Sequence, residues 1–444
     1  MYNMMGFYES DTLRATLLGD AMEQKMVSET GLYPEKPLID QLTWDKIADY
    51  YLNHAPDQLE LPLIPAIPET LRAFEVVQPD FRLRPPSTTL ATFTGDQNVT
   101  IGDALTQRFH LFDQALNVVQ SAQVKEGAVS LYEDTSSYML TVMGSFSPRD
   151  NTGGMLLSLP KSPTGRVAVP LKDLRRPVHS SFADFNGDGL QDVVVSEFGK
   201  WAGRLSIHYL QEDGRYRSEV LHNQTGAIRT EVRDFNSDGL MDIMALFGQG
   251  NEGIYIFYNN GEESFSLDPI LPFHPSMGSS YFNLCDFNND GLEDIIYCAG
   301  DNADFPAGRK PYHGIYIFEN QGDLSYKQTF FYHQNGSYAA IPRDYDQDGD
   351  VDIAAISFFP DYDHSPEESF LFLEQTTPGS FTASTFRNPT MGRWIVMDDA
   401  DYDQDGDMDL LLGSLTFEAP GHDSLMQSWV QGGLPYILLE NQLF

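Results

Sequence analysis

Cysteine is nearly absent. Only Cys285 and Cys298 occur in 444 residues. That is too few for a disulfide framework, and no C-x-x-C-H run exists for covalent haem attachment. Both fall in one repeat unit, so a local bridge is the alternative to two free buried thiols, and free thiols are the expectation. Basic residues are scarce too: 27 Lys+Arg stand against 65 Asp+Glu, a formal net charge of −38. Nucleic acid is thereby disfavoured as a partner, since phosphate contacts need Lys and Arg. No apolar run approaches the roughly 20 residues of a membrane-spanning helix. The opening stretch MYNMMGFYESDTLRATLLGD has no basic segment followed by an apolar one, so no signal-peptide pattern is visible. Also missing are H-E-x-x-H, G-x-S-x-G and a phosphate loop, and the ten histidines show no ligand spacing. No catalytic residue is assigned.

What the chain has in abundance is a repeated acidic loop. Five segments align: ADFNGDGLQDVVV from Ala183, RDFNSDGLMDIMA from Arg233, CDFNNDGLEDIIY from Cys285, RDYDQDGDVDIAA from Arg343 and ADYDQDGDMDLLL from Ala400. The period of a little over 50 residues is too long for a β-helix coil and suits a four-stranded propeller blade with loop insertions. Each loop runs into an apolar β-branched stretch, then a variable loop, then an aromatic strand such as GIYIFYN from Gly253 or GIYIFEN from Gly314. These are strand-and-turn signals. Two weaker units, from Ser87 and from Gly127, keep the rhythm without the acidic loop, giving seven units. The last stops after its third strand. Residues 73–86 are expected to supply the missing outer strand and so remove the exposed sheet edge. Nothing in 85–444 shows helical periodicity. The fold class expected is all-β, a propeller of seven four-stranded blades spanning 71–444. Residues 1–70 are expected to form a small helical region and linker, with LTWDKIADYYLNHAP helical up to Pro56.

The loop is built for Ca²⁺, a hard cation that takes six to eight oxygens. Ligands at positions 1, 3 and 5 curl toward one centre, Gly at position 6 permits the turn, position 7 offers its carbonyl and position 9 closes with a carboxylate. The expected sets are Asp184, Asn186, Asp188, Leu190 and Asp192; Asp234, Asn236, Asp238, Leu240 and Asp242; Asp286, Asn288, Asp290, Leu292 and Asp294; Asp344, Asp346, Asp348, Asp350 and Asp352; Asp401, Asp403, Asp405, Asp407 and Asp409. An EF-hand needs Glu at position 12 between helices. That position holds Val195, Ala245, Tyr297, Ala355 and Leu412, so the EF-hand reading fails five times. Asp/Asn/Gly turns without metal are the bland alternative. Five loops of one pattern weigh against it, because carboxylates crowded without a cation raise one another's pKa. Mg²⁺ fits less well, since it demands tighter octahedral geometry. About five Ca²⁺ sites are expected, mainly structural.

The D-F-N-x-D-G-x-x-D-I pattern, with Phe198-Gly199 and Phe247-Gly248 following two of the loops, resembles the FG-GAP/VCBS repeat of integrin α-subunit propellers and many bacterial secreted proteins. The resemblance covers 180–444 strongly and 85–180 weakly. It implies a β-propeller with calcium in the loops between first and second strands, and an extracytoplasmic setting. YPEKPLIDQLTWDKIADYYLNHAP is similar to a segment that precedes such propellers in some bacterial proteins, downstream of a c-type cytochrome module. With no haem-attachment motif here, that function is not carried over.

Successive turns of an up-and-down blade alternate between the two faces of the ring, so the loops between second and third strands lie opposite the acidic ones. Three of these loops are long, and function tends to sit on such insertions. Phe305, Arg309, Tyr312, His313, Tyr362, His364, His422 and Trp429 are the candidate ligand-binding residues there. The leading expectation is a non-catalytic binding or adhesion module for a glycan or protein. A scaffold for an electron-transfer or secretion partner comes second, and a carbohydrate-active enzyme such as a polysaccharide lyase third.

Overall fold

The computed structural model describes residues 6–8, 11–31, 34–56, 60–62, 65–95, 97–125, 127–162, 164–302, 308–416 and 419–443. Its strands form seven four-stranded antiparallel sheets. Blade 1 comprises Thr88–Thr94, Asn98–Asp103, Arg108–Phe112 and Val118–Gln123; blade 2 comprises Ala128–Glu133, Ser137–Val142, Gly154–Pro160 and Ala168–Leu174. Blade 3 comprises Pro177–Ala183, Asp192–Glu197, Arg204–Leu210 and Tyr216–His222; blade 4 comprises Ala227–Arg233, Asp242–Phe247, Gly253–Asn259 and Phe265–Pro272. Blade 5 comprises Ser279–Cys285, Asp294–Ala299, Gly314–Asn320 and Tyr326–His333; blade 6 comprises Ser337–Arg343, Asp352–Ser357, Phe370–Thr377 and Ser380–Ser384. Blade 7 takes Trp394–Ala400, Asp409–Ser414 and Tyr436–Asn441 from the end of the chain. Its outer strand is Phe74–Val77, which pairs antiparallel with Tyr436–Asn441 in the register Phe74↔Asn441 to Val77↔Leu438. The closing strand expected from residues 73–86 is therefore present.

First strands are innermost. Each packs against the first strand of the next blade, and blade 7 meets blade 1 in the same way. Second strands are sandwiched between neighbouring blades, which explains why they read as continuous apolar runs and not as alternations. Asp192–Glu197, Asp242–Phe247, Asp294–Ala299, Asp352–Ser357 and Asp409–Ser414 are buried at every position. The core is thus a set of inter-blade layers. Between blades 6 and 7, for instance, Phe74 stands edge-on to Tyr345 and Phe372 at ring-centroid distances of 5.9 and 5.6 Å. Outer strands such as Tyr216–His222 bury none of their residues fully.

Among the described residues three helices precede the ring: Asp11–Leu18, Ala21–Thr30 and Gln41–His54. The second opens with a capping box in which Asp20 and Glu23 satisfy each other's amides. It docks on blades 2 and 3. Leu18 and Val27 pack against Trp201, Glu23 Oε1 accepts the amide of Asp150 at 3.2 Å, and Arg175 lies 3.8 Å from Glu29. The third helix buries none of its residues.

One expectation fails. The sequence past residue 85 reads as free of helix, yet Asp423–Gly432 is an α-helix between the second and third strands of blade 7. Its ten residues are too few to establish a period. Packing of Trp429 and the left-handed Gly433 (φ 61°), whose amide bonds to the Trp429 carbonyl, fix it instead.

Candidate metal loops and the insertion face

Each acidic loop joins the first and second strands of blades 3 to 7. Position 6 is left-handed in all five, from φ 80° at Gly189 to 101° at Gly406, which only glycine adopts without strain. The closing Asp at position 9 does more than the sequence reading assigns. Asp192, Asp242, Asp294, Asp352 and Asp409 are fully buried. One oxygen of each accepts the amide directly after the loop's first Asp, at Phe185, Phe235, Phe287, Tyr345 and Tyr402. The other accepts an amide of the third strand, at Leu210, Asn259, Asn320, Gln375 and Asn441. The carboxylate thus clamps the loop to its own blade, and each oxygen retains a second lone pair. Two blades add a clamp to the preceding blade: Asn259 Nδ2 donates to the Phe185 carbonyl and Asn441 Nδ2 to that of Tyr345.

The loops divide into two kinds. In blades 3 and 4 the position-3 amides of Asn186 and Asn236 donate to Asp188 and Asp238 at 3.1 and 2.9 Å, which relieves the crowding. The position-1 carboxylates accept loop amides in both kinds: Asp184 from Gly189 and Asp234 from Gly239, both at 2.8 Å, Asp286 from Gly291 in blade 5, and Asp344 from Gly349 at 3.1 Å in blade 6. In blades 6 and 7 position 3 is Asp, which has no proton to donate. Oxygens of Asp344, Asp346 and Asp348 lie within 4.8 Å of one another, as do those of Asp401, Asp403 and Asp405. Asp344 Oδ1, Asp350 Oδ1 and Asp407 Oδ1 are buried without a hydrogen-bond partner. Burial first, and neighbouring carboxylates after it, push Asp352 and Asp409 up to about 7 and Asp407 up to about 6. An all-oxygen set of converging carboxylates with orphaned acceptors fits a hard divalent cation.

Beside the blade 7 loop, Tyr402 Oη donates to the carbonyl of Gln114 at 3.1 Å. A cleft of about 570 Å³ opens there between blades 7 and 1, lined by Asp113, Gln114, Ala115, Tyr402, Asp403 and Glu440. Sequence spacing gives no sign of it, because it joins residues that are adjacent in the ring but far apart along the chain.

On the opposite face the structure groups the candidate ligand-binding residues in two clusters. Arg309 Nη1 meets Asp361 at 2.6 Å and His364 Nδ1 lies 3.1 Å from the same carboxylate, which ties blade 5 to blade 6. Tyr362 stands against His422 and Trp429, with ring centroids 5.3 and 5.7 Å apart, tying blade 6 to blade 7. Trp429 itself is only 2% exposed, and its Nε1 donates to the Thr390 carbonyl. His313 is fully buried, and burial, with Lys310 and His333 nearby, pushes it down to about 3, so it is neutral. Tyr312 Oη reaches Ser276 Oγ at 3.3 Å. Phe305 lies outside the described residues.

Two groups beneath this face escape the sequence reading. Arg393, 2% exposed, places its guanidinium 4.0 Å from the Phe358 ring centre and donates to the Phe358 carbonyl. Glu368, fully buried, accepts the amides of Asn335 and Asp361 at 3.0 and 2.6 Å. Neither sits in a motif.

The family model for the FG-GAP-like repeat matches residues 184–245 and 234–297, the loops and following strands of blades 3 to 5. Similar solved structures include a chain of the S. cerevisiae complex of a Dbp5 variant bound to Nup159, a Gle1 variant, IP6 and ADP. It has 9% identity and a TM-score of 0.48 over 87% of this chain and 98% of that one. S. cerevisiae Sqt1 gives 9% identity and a TM-score of 0.48 over 81% of this chain and 97% of its own. A luciferin-regenerating enzyme gives 10% and 0.38 over 83% and 95%. The ring itself rests on the strand pairing described above. This chain is thus a closed ring of seven four-stranded blades, a β-propeller, that carries FG-GAP-like repeats at residues 184–297.

Proposed function

We propose that this propeller is a calcium-stabilised, extracytoplasmic binding module that recognises a glycan or protein through the face opposite its acidic loops. The observation that carries the calcium reading is the convergence of three carboxylates within 4.8 Å in two loops of one recurring design. Residues at positions 1, 3, 5, 7 and 9 of each loop would hold the ion, and the ion would supply the positive charge that the crowded carboxylates lack. The role is structural, since the site recurs once per blade from 3 to 7. A site with Kd near about 10⁻⁴ M in millimolar calcium adds roughly 1.4 kcal/mol. Affinities of that order are used outside cells, which supports the extracytoplasmic setting.

The binding reading rests on the insertions. Arg309, Tyr312, Tyr362, His364 and His422 offer aromatic, cationic and hydrogen-bonding groups, supported from below by Trp429 and His313. Calcium added to chelator-stripped protein should raise Tm progressively through the millimolar range; an unchanged Tm would sink the calcium reading. A glycan array tests the ligand, and a positive signal that survives Arg309→Ala with Tyr362→Ala would move recognition elsewhere.

A further inference from the structure

We propose that the cleft between helix Ala21–Thr30 and blade 3 binds a small sugar acid through its carboxylate, with Arg175 and Arg204 as the cationic arms and Glu29 as an internal competitor. The site lies apart from the insertions of blades 5 to 7 and uses none of the acidic loops. The cleft measures about 320 Å³ and is lined by Glu29, Thr30, Arg175, Arg204, Val220 and Asn223. Small-molecule sites run from roughly 300 to 1,000 Å³, so a single sugar ring is the size it suits. Arg204 opens the third strand of blade 3, and Val220 and Asn223 come from the end of its fourth. Both strand ends belong to the face opposite the acidic loops.

Two arginines in one cleft stand out in a chain of net charge −38. Their side chains are only 18% and 23% exposed, and each guanidinium is held along one edge. Arg204 donates Nε to Glu197 at 2.6 Å, and its side chain makes no other hydrogen bond among the described residues. Arg175 donates Nη1 to the Ala202 carbonyl at 3.1 Å. Glu197 is fully buried and already engaged, because its other oxygen accepts the Arg175 amide at 2.5 Å. Asp150, which also acts on Arg175, is taken up by the amides of Lys200, Trp201 and Ala202. The remaining Nη donors suit a planar carboxylate, which accepts two parallel hydrogen bonds from such a fork. Burial, and then the neighbouring Arg204, disfavour the charge on Arg175, and an anion reaching both arginines offsets that.

Glu29 is the one carboxylate among the lining residues. Its Oε2 stays 3.8 Å from Arg175 Nη2, beyond hydrogen-bond length, and its side chain is 53% exposed. It also stands in the last turn of its helix, where no basic residue balances the negative end of the dipole. Glu29 is therefore loosely held on both counts. A ligand carboxylate that takes its place leaves the charge of the cleft unchanged and makes the close pairing that Glu29 does not. Asn223 is exposed, and its side chain makes no hydrogen bond among the described residues. With Thr30 it offers donors and acceptors to sugar hydroxyls, while half-exposed Val220 supplies an apolar edge.

Glucuronate titrated calorimetrically into the full chain should bind saturably, and glucuronamide, its neutral counterpart, at least about tenfold more weakly. Arg204→Gln should weaken glucuronate by a similar factor. Because that change also disturbs Glu197, Asn223→Ala is the milder variant and should weaken binding without lowering Tm. Glu29→Gln removes the competitor and should tighten binding several-fold, a gain that misfolding cannot imitate. Inorganic sulfate competing as well as glucuronate, equal affinity for glucuronamide, an affinity unmoved by Glu29→Gln, or no saturable uptake by either chain would each overturn the inference. None of these outcomes would touch the calcium loops or recognition by blades 5 to 7.

Discussion

Asp409 Oδ1 accepts the amide of Asn441 at 2.8 Å, so the last acidic loop grips the last strand of the chain. The other oxygen holds Tyr402 at 2.8 Å. Asp409→Ala would strand two buried amides, each costing about 1–3 kcal/mol. Urea unfolding in chelator should show a loss in that combined range. Asp401, exposed in the same loop, is the contrast: Asp401→Ala should cost less than about 1 kcal/mol under the same conditions. Equal losses would mean that the closing carboxylate is not a clamp.

Glu368 supplies a pH signature. Burial pushes its carboxyl up to about 7 despite the amides it accepts. An unfolded glutamate ionises near about 4.3. Between these values the folded chain keeps a proton that the unfolded chain releases, so this group makes stability fall as pH rises from about 4.3 to 7. Urea midpoints at intervals across that window, with saturating calcium to quiet the loops, should decline, and Glu368→Gln should flatten the slope. An unchanged slope in the variant would assign the titration elsewhere.

Trp429 and Arg309 separate packing from recognition. Trp429→Ala should cost about 3–5 kcal/mol, because it empties a buried site against Tyr362. Arg309 is nearly half exposed, and its ion pair with Asp361 is worth at most about 1 kcal/mol. Arg309→Ala should therefore leave Tm nearly unchanged while weakening ligand binding, and a large drop in Tm would refute the surface role.

The two cysteines are both free, and burial pushes each thiol up to about 12. Native protein should resist a disulfide thiol reagent, and two thiols should react once denaturant is added. Cys298 is fully buried and Cys285 half-buried, so Cys298 should be the slower to react, and rapid labelling of Cys298 in native protein would contradict its burial.

Much of this architecture is legible in the residues because a recurring acidic turn of this spacing tolerates few alternatives. Asp184, Asp188, Gly189 and Asp192 set a register that their four counterparts repeat, and the strands follow from it. Phe74–Val77 could be placed as the closing strand because the final unit is one strand short. What stayed hidden depends on three-dimensional neighbours. A carboxylate at position 9 reads as a ligand, and only the fold shows both its oxygens engaged by amides. Trp429 in a long insertion reads as surface, and its burial follows from a ten-residue helix whose period is too short to register. Arg393 under Phe358 and the Asp113–Glu440 cleft join parts of the chain that no local pattern relates.

The composite seventh blade also bears on how the protein is made. As the chain emerges from the ribosome, blades 1 to 6 can each assemble from consecutive segments, whereas Phe74–Val77 must wait for a partner near the opposite terminus. Until Trp394–Asn441 has been made, blades 1 and 6 each present an uncovered apolar flank. The appearance of Tyr436–Asn441 thus decides when a growing, association-prone intermediate becomes a finished ring.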